Sequence, residues 1–142
     1  MTHKHTLLLR NIIWAIIIFI LCTMPGDSLP NPNFTIPYLD KIVHFCMFFI
    51  MAIFLCSELN YQTTLQVCHI YLITSSVCFA YGGIIEILQH QFFHRTGEWW
   101  DLVADLLGAA LGCIFYPTAK RIKNKLLTYL RKIITKKRSR FN

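Results

Sequence analysis

The residues able to do chemistry in this chain fall into three short runs. Asp40, Lys41 and His44 form the first, with Asp40 and His44 spaced i, i+4. Glu86 and Gln89 form the second. His90, His94, Arg95, Glu98, Asp101 and Asp105 make up the third. A carboxylate beside an imidazole can orient it as a general base, and a desolvated carboxylic acid can act as the matching general acid. The same groups can instead bind. Lysine, arginine and imidazolium meet phosphate through charge-assisted hydrogen bonds, while carboxylates and amides meet hydroxyls and amines. His90 and His94 are four apart and, with His44 and the acids, have the donor types of a divalent-metal site. That set needs a helix continuing past Gln89 through Phe92, Phe93, Arg95 and Gly97, so no metal and no cofactor is assigned. The sequence holds no G-x-S-x-G elbow and no phosphate-cradling glycine loop.

These polar runs sit in a chain of 142 residues that is 55% hydrophobic and only 15% charged. Soluble domains carry about 25% charged residues, so the balance argues against a soluble enzyme, a disordered tail or a free nucleic-acid binder. A membrane span needs about 20 apolar residues. Four stretches qualify: Leu7–Met24, Ile42–Leu59, Leu65–Leu88 and Trp99–Tyr116. Strand-like alternation of the kind a membrane barrel requires is not visible. The expected fold is an all-α membrane protein, a bundle of four transmembrane helices, with residues 1–117 as the membrane domain and 118–142 as a basic tail. The first span has basic flanks (His3, Lys4, His5, Arg10) like a signal peptide, but no small-x-small site follows it, so a retained helix is expected.

Charge then orients the bundle. The formal charge is +7, from 14 Lys plus Arg against 7 Asp plus Glu. With both termini cytoplasmic, the inside holds Lys4, Arg10 and ten cations between Lys120 and Arg140, whereas the outside holds Lys41 and Arg95. This is the positive-inside pattern, giving N-in and C-in. Ile122, Leu126, Leu130, Ile133 and Ile134 recur at helical spacing among the tail's cations. A basic amphipathic helix on the anionic inner leaflet is expected, in preference to a nucleic-acid contact. Six cysteines (22, 46, 56, 68, 78, 113) all lie inside spans and read as small apolar residues. Asn33-Phe34-Thr35 is a glycosylation sequon in the proline-rich outer connection.

With this topology the polar runs converge. The second helix begins, the third ends and the fourth begins at the outer face. At 100° per residue, Asp101, Asp105, Gly108 and Gly112 share one stripe of the fourth helix. Gly108 and Gly112 form a G-x-x-x-G, which lets membrane helices approach closely. Ser75, Cys78, Gly82, Glu86 and Gln89 form a comparable stripe on the third, and the two stripes are expected to face each other. Asp40, Glu98 and Asp101 also suit helix N-termini, and Arg95 suits a structural ion pair or an interfacial cation. Asp105 and Glu86 lie about a turn inside the apolar boundary, where a carboxylate is costly.

The order of these residues resembles the VanZ-like family of small bacterial membrane proteins. Asp40-Lys41-Ile42-Val43-His44-Phe45 is similar to the family's D-K-x-x-H-F, and Glu86-Ile87-Leu88-Gln89 to its E-x-x-Q. Arg95, Asp101, Asp105 and Gly108 follow in the family's order, with Asp at 105 where Asn is frequent. The resemblance covers residues 40–112. It implies a multi-pass protein of the bacterial cytoplasmic membrane, in a family whose founding members are linked to resistance against the glycopeptide teicoplanin.

Two expectations follow. In the first, Asp40, Lys41, His44, Glu86, Gln89, Arg95, Asp101 and Asp105 line an outer pocket for a lipid headgroup or lipid-linked envelope precursor. In the second, the same cluster is a membrane-embedded hydrolase or transferase, with His44 as base oriented by Asp40 or Asp101, and Glu86 as acid. A polar plug that fixes the helix register, with no ligand, is the plainer alternative.

Overall fold

A computed structural model describes residues 3–23, 38–92 and 99–138 of the chain. They form four helices: α1 (His3–Thr23), α2 (Leu39–Gln62), α3 (Val67–Phe92) and α4 (Trp99–Arg138). No strand occurs among the described residues. All four are long and apolar enough to cross a membrane. Between 17 and 33% of each apolar window is buried within the protein, so most of its large aliphatic side chains face outward. Ile12, Ile16 and Ile20 on α1, Leu72 and Phe79 on α3, and Leu107 and Ile114 on α4 are all exposed. In water such a surface would aggregate; in lipid it is solvated.

Side-chain contacts fix the helices in up-and-down order. At one end Cys22 of α1, His44 of α2, Gln89 of α3 and Asp105 of α4 meet. At the other, Arg10 of α1 reaches the Phe54 carbonyl of α2 at 2.7 Å, and Lys120 of α4 reaches Asn60 of α2 at 2.8 Å. The start of α1 and the later half of α4 therefore lie toward the second end. We call the first the acid end and the second the basic end.

Between the ends runs a narrow core of Ile18, Phe48, Ala52, Cys56, Ile70, Cys78, Ile85, Ala109 and Cys113. Small residues set its closeness. A Cβ on Gly108 would overlap the Phe45 carbonyl oxygen, and one on Gly112 would lie 2.5 Å from the Phe49 oxygen and 2.9 Å from Ala52 Cβ. The G-x-x-x-G face thus meets α2. The two small-residue stripes come together at Gly82 of α3, which lies against Asp105 of α4, and Ser75 of α3 approaches Cys113 of α4 at 4.0 Å. The α4 stripe divides at Asp105: its glycines, Asp101 and Asp105 Oδ1 face α2, while Asp105 Oδ2 lies against Gly82 of α3. Cys22, Cys56, Cys78 and Cys113 are buried as the apolar reading expects, but Cys46 and Cys68 are exposed.

α4 departs most from expectation. It runs 40 residues without a break, with Pro117 inside it, so Pro117 does not separate a transmembrane helix from a tail helix. Proline deletes one backbone hydrogen bond and crowds the carbonyl four residues back; within a membrane bundle such a residue is accommodated. At 1.5 Å per residue the helix is about 60 Å long, roughly twice the hydrocarbon thickness. Its second half must leave the bilayer core.

Candidate functional site

The acid end is built around His44, which is 2% exposed. Its Nδ1–H donates to Asp105 Oδ1 at 3.0 Å, and Asp105 is 1% exposed. The other ring nitrogen, Nε2, faces the Cys22 sulfur, 3.8 Å away. Asp105 reaches this position because α4 approaches α2 through Gly108, one turn further along. Its second oxygen, Oδ2, has no hydrogen-bond partner and lies where a Cβ on residue 82 would be 2.5 Å away. Gly82 leaves the space that the carboxylate occupies.

One turn toward the membrane surface, Lys41 Nζ lies 3.4 Å from Asp101 Oδ1. Asp101 is 4% exposed, and Lys41 meets it there as an ion pair. Asp40, half-buried, completes this layer. One ligand atom each from Asp40, His44 and Asp101 lies within 4.8 Å of the others. Among the described residues this is the trio whose donors could surround a cation; of the pair His90 and His94, His94 lies outside the described residues. Here the Lys41 ammonium already supplies a positive charge.

Glu86 stands apart from both layers in access. Its Oε1 is buried without a hydrogen-bond partner, within electrostatic reach of Asp101, Asp105, Asp40 and His44. Its side chain also lines a cavity of about 430 Å³ between α3 and α4, together with Gly83, His90, Trp99 and Leu102. His44, Asp101 and Asp105 do not line that cavity. The acid end therefore has a sealed layer and an open one, and Glu86 connects them.

Seven expected site residues, Asp40, Lys41, His44, Glu86, Gln89, Asp101 and Asp105, come to this end of the bundle. Gln89 serves the architecture: its Nε2 donates to the Cys22 carbonyl oxygen at 2.6 Å and closes α3 onto the end of α1. His94, Arg95, Glu98 and the Asn33 sequon lie outside the described residues. Asp105 orients His44, where Asp40 or Asp101 was expected. An i, i+4 pair on one helix lies along the helix surface, while His44 turns inward to α4. Cys22 was not anticipated in the site. Its only sequence signal is its position at the end of the first span, which the topology places beside the start of the second.

Taken together, four lipid-facing helices around a largely buried acid–imidazole cluster define a multi-pass, all-α integral membrane protein. Its lineage is equally plain: residues 3–121 match the VanZ/LLP1 family, and the chain belongs to that family. It is similar to "Uncharacterized protein C11E3.10" of the fission yeast Schizosaccharomyces pombe, with 30% identity over 86 residues, 58% of this chain and 49% of that protein. The chain thus spans about half the length of that curated relative. No solved structure matches it.

Proposed function

We propose that the acid end binds the headgroup of a membrane lipid or of a lipid-linked envelope component. The observation that carries this reading is Glu86: a buried, unpartnered carboxylate oxygen on a residue that lines a cavity of about 430 Å³. That volume lies within the range of small-ligand sites, about 300–1,000 Å³. An unsatisfied acceptor at its wall calls for a donor, which a headgroup amine or sugar hydroxyl supplies. The exposed Trp99 and Ile87 beside it suit the apolar part of an amphipathic ligand. Lys41 and Arg95 are the cations that would meet its phosphate.

Catalysis by His44 is the weaker reading. A general base must come within hydrogen-bond reach of the proton it takes. His44 is sealed, with Asp105 and Cys22 on its two nitrogens. The sealed pair supports the cavity rather than entering it.

In this reading the cavity opens on the outer face of a bacterial cytoplasmic membrane, with both termini inside and the basic segment 118–142 held against anionic lipid. A part in envelope homeostasis, or in resistance of the teicoplanin type, is the physiological form of the same proposal. The test is lipid co-purification, read by mass spectrometry, for Lys41→Ala, Glu86→Ala and Arg95→Ala. Loss of a bound lipid in these variants supports the reading, and unchanged lipid content in all three would sink it.

A further inference from the structure

The basic end holds a second cavity, whose lining is of opposite sign. A cavity of about 290 Å³ lies between α1, α2 and α4, and its walls include Arg10, Ser57, Asn60, Tyr116, Lys120 and Lys123. Three cations line it and no carboxylate does. Arg10 is anchored to α2: one guanidinium nitrogen donates to the Phe54 carbonyl at 2.7 Å, and the group lies 4.2 Å from the centre of the Phe54 ring. Its Nε is buried and has no hydrogen-bond partner. On the opposite wall Asn60 Oδ1 accepts from Tyr116 at 3.0 Å and from Lys120 at 2.8 Å, which ties the lysine to α2.

We propose that this cavity binds the phosphate of an anionic phospholipid headgroup. Glu58 lies within electrostatic reach of Arg10 but outside the cavity wall. An orphaned guanidinium donor and two further cations therefore leave the wall net positive. An anionic acceptor would satisfy it, and phosphate suits the arginine fork. The surroundings favour a lipid over a free anion. A cavity sharing Arg10 and Phe54 with this one is walled by Leu9, Ile13 and Trp14. Another, sharing Asn60, Tyr116 and Lys120, is walled by Val67, Ile70 and Pro117. Apolar grooves therefore border the cationic cavity on both sides and would take the start of acyl chains. Basic pockets between transmembrane helices hold anionic headgroups in this way. The site is independent of the acid end and of any ligand there.

The experiment titrates full-length protein in neutral detergent with phosphatidylglycerol and reads bound lipid by native mass spectrometry. Detergent removes the diffuse charge of a membrane surface, so the basic tail cannot mimic a site. Wild type is expected to retain one phosphatidylglycerol per chain. Arg10→Lys, which keeps the charge but loses the fork, and Lys120→Gln, which keeps a donor to Asn60, should each weaken it by about tenfold. Lys125→Gln with Lys132→Gln, two cations away from the cavity, should change it by less than about threefold. Equal weakening in both sets, or no retained lipid in the wild type, overturns the proposal. Competition by inorganic phosphate alone at equal concentration would retain phosphate chemistry and overturn the lipid as its source.

Discussion

The two ends of this bundle solve opposite problems with the same four helices. At the acid end, carboxylates outnumber the donors that reach them: Glu86, Asp101 and Asp105 each keep a buried oxygen without a hydrogen bond. At the basic end a guanidinium nitrogen is the group left over, and nearby acceptors are already shared, Asn60 Oδ1 serving two donors and Glu58 accepting from both Asn11 and Gln62. The acid end is closed by close backbone approach and is stiff. The basic end is lined by long, exposed side chains from α4 and is yielding. What an end lacks indicates what it can take up, and how tightly it is built determines what a mutation there will disturb.

The contrast breaks most readily at Asp105. Asp105→Ala leaves His44 buried without its acid and should lower stability by about 3–5 kcal/mol. Asp105→Asn, which keeps an acceptor, should cost distinctly less; unfolding in detergent distinguishes the two. Gly108→Ala comes next, at about 1–3 kcal/mol, because the added methyl must displace the α2 backbone at Phe45. Gly83→Ala is the control on a neighbouring helix: nothing lies within 4 Å of its added Cβ, and removing a helical glycine should stabilise by about 0.5–1 kcal/mol. At the basic end, Tyr116→Phe deletes one of two donors to Asn60 and should cost about 1 kcal/mol or less. The smallest effect is expected for Lys125→Gln, within about 0.5 kcal/mol. A basic-end variant that unfolds the protein as readily as Gly108→Ala would erase the distinction between a stiff end and a yielding one.

Hydropathy made the four helices legible to within a few residues at most of their ends, because a span must be continuous and apolar. The gathering of polar residues at one end was legible too, since alternating spans bring the starts and ends of helices together. Neighbours were not. The spacing of Asp101, Asp105, Gly108 and Gly112 identifies a face but not which helix it meets, and α2 takes the glycines while α3 takes part of the acid. The partner of His44 is 61 residues away in sequence, beyond any local pattern. Cys22 and Arg10 contribute from α1, a helix whose hydrophobicity conceals two polar contacts to α2. The expected division at 117/118 falls inside one continuous helix, since a proline such as Pro117 can sit within a helix where neighbouring helices support the backbone.

One pair of positions constrains how this sequence can change over time. Gly82→Ala in the present chain would drive a methyl into the Asp105 carboxylate and push it off His44. Once residue 105 has been reduced to a small side chain, the closest of the contacts left to the same methyl is Leu102 Cδ1, at 3.4 Å, an ordinary van der Waals distance. The order of the two mutations therefore decides whether the path is open. Residue 105 must give up its carboxylate before residue 82 can gain a side chain, and a lineage that retains the acid is confined to glycine opposite it.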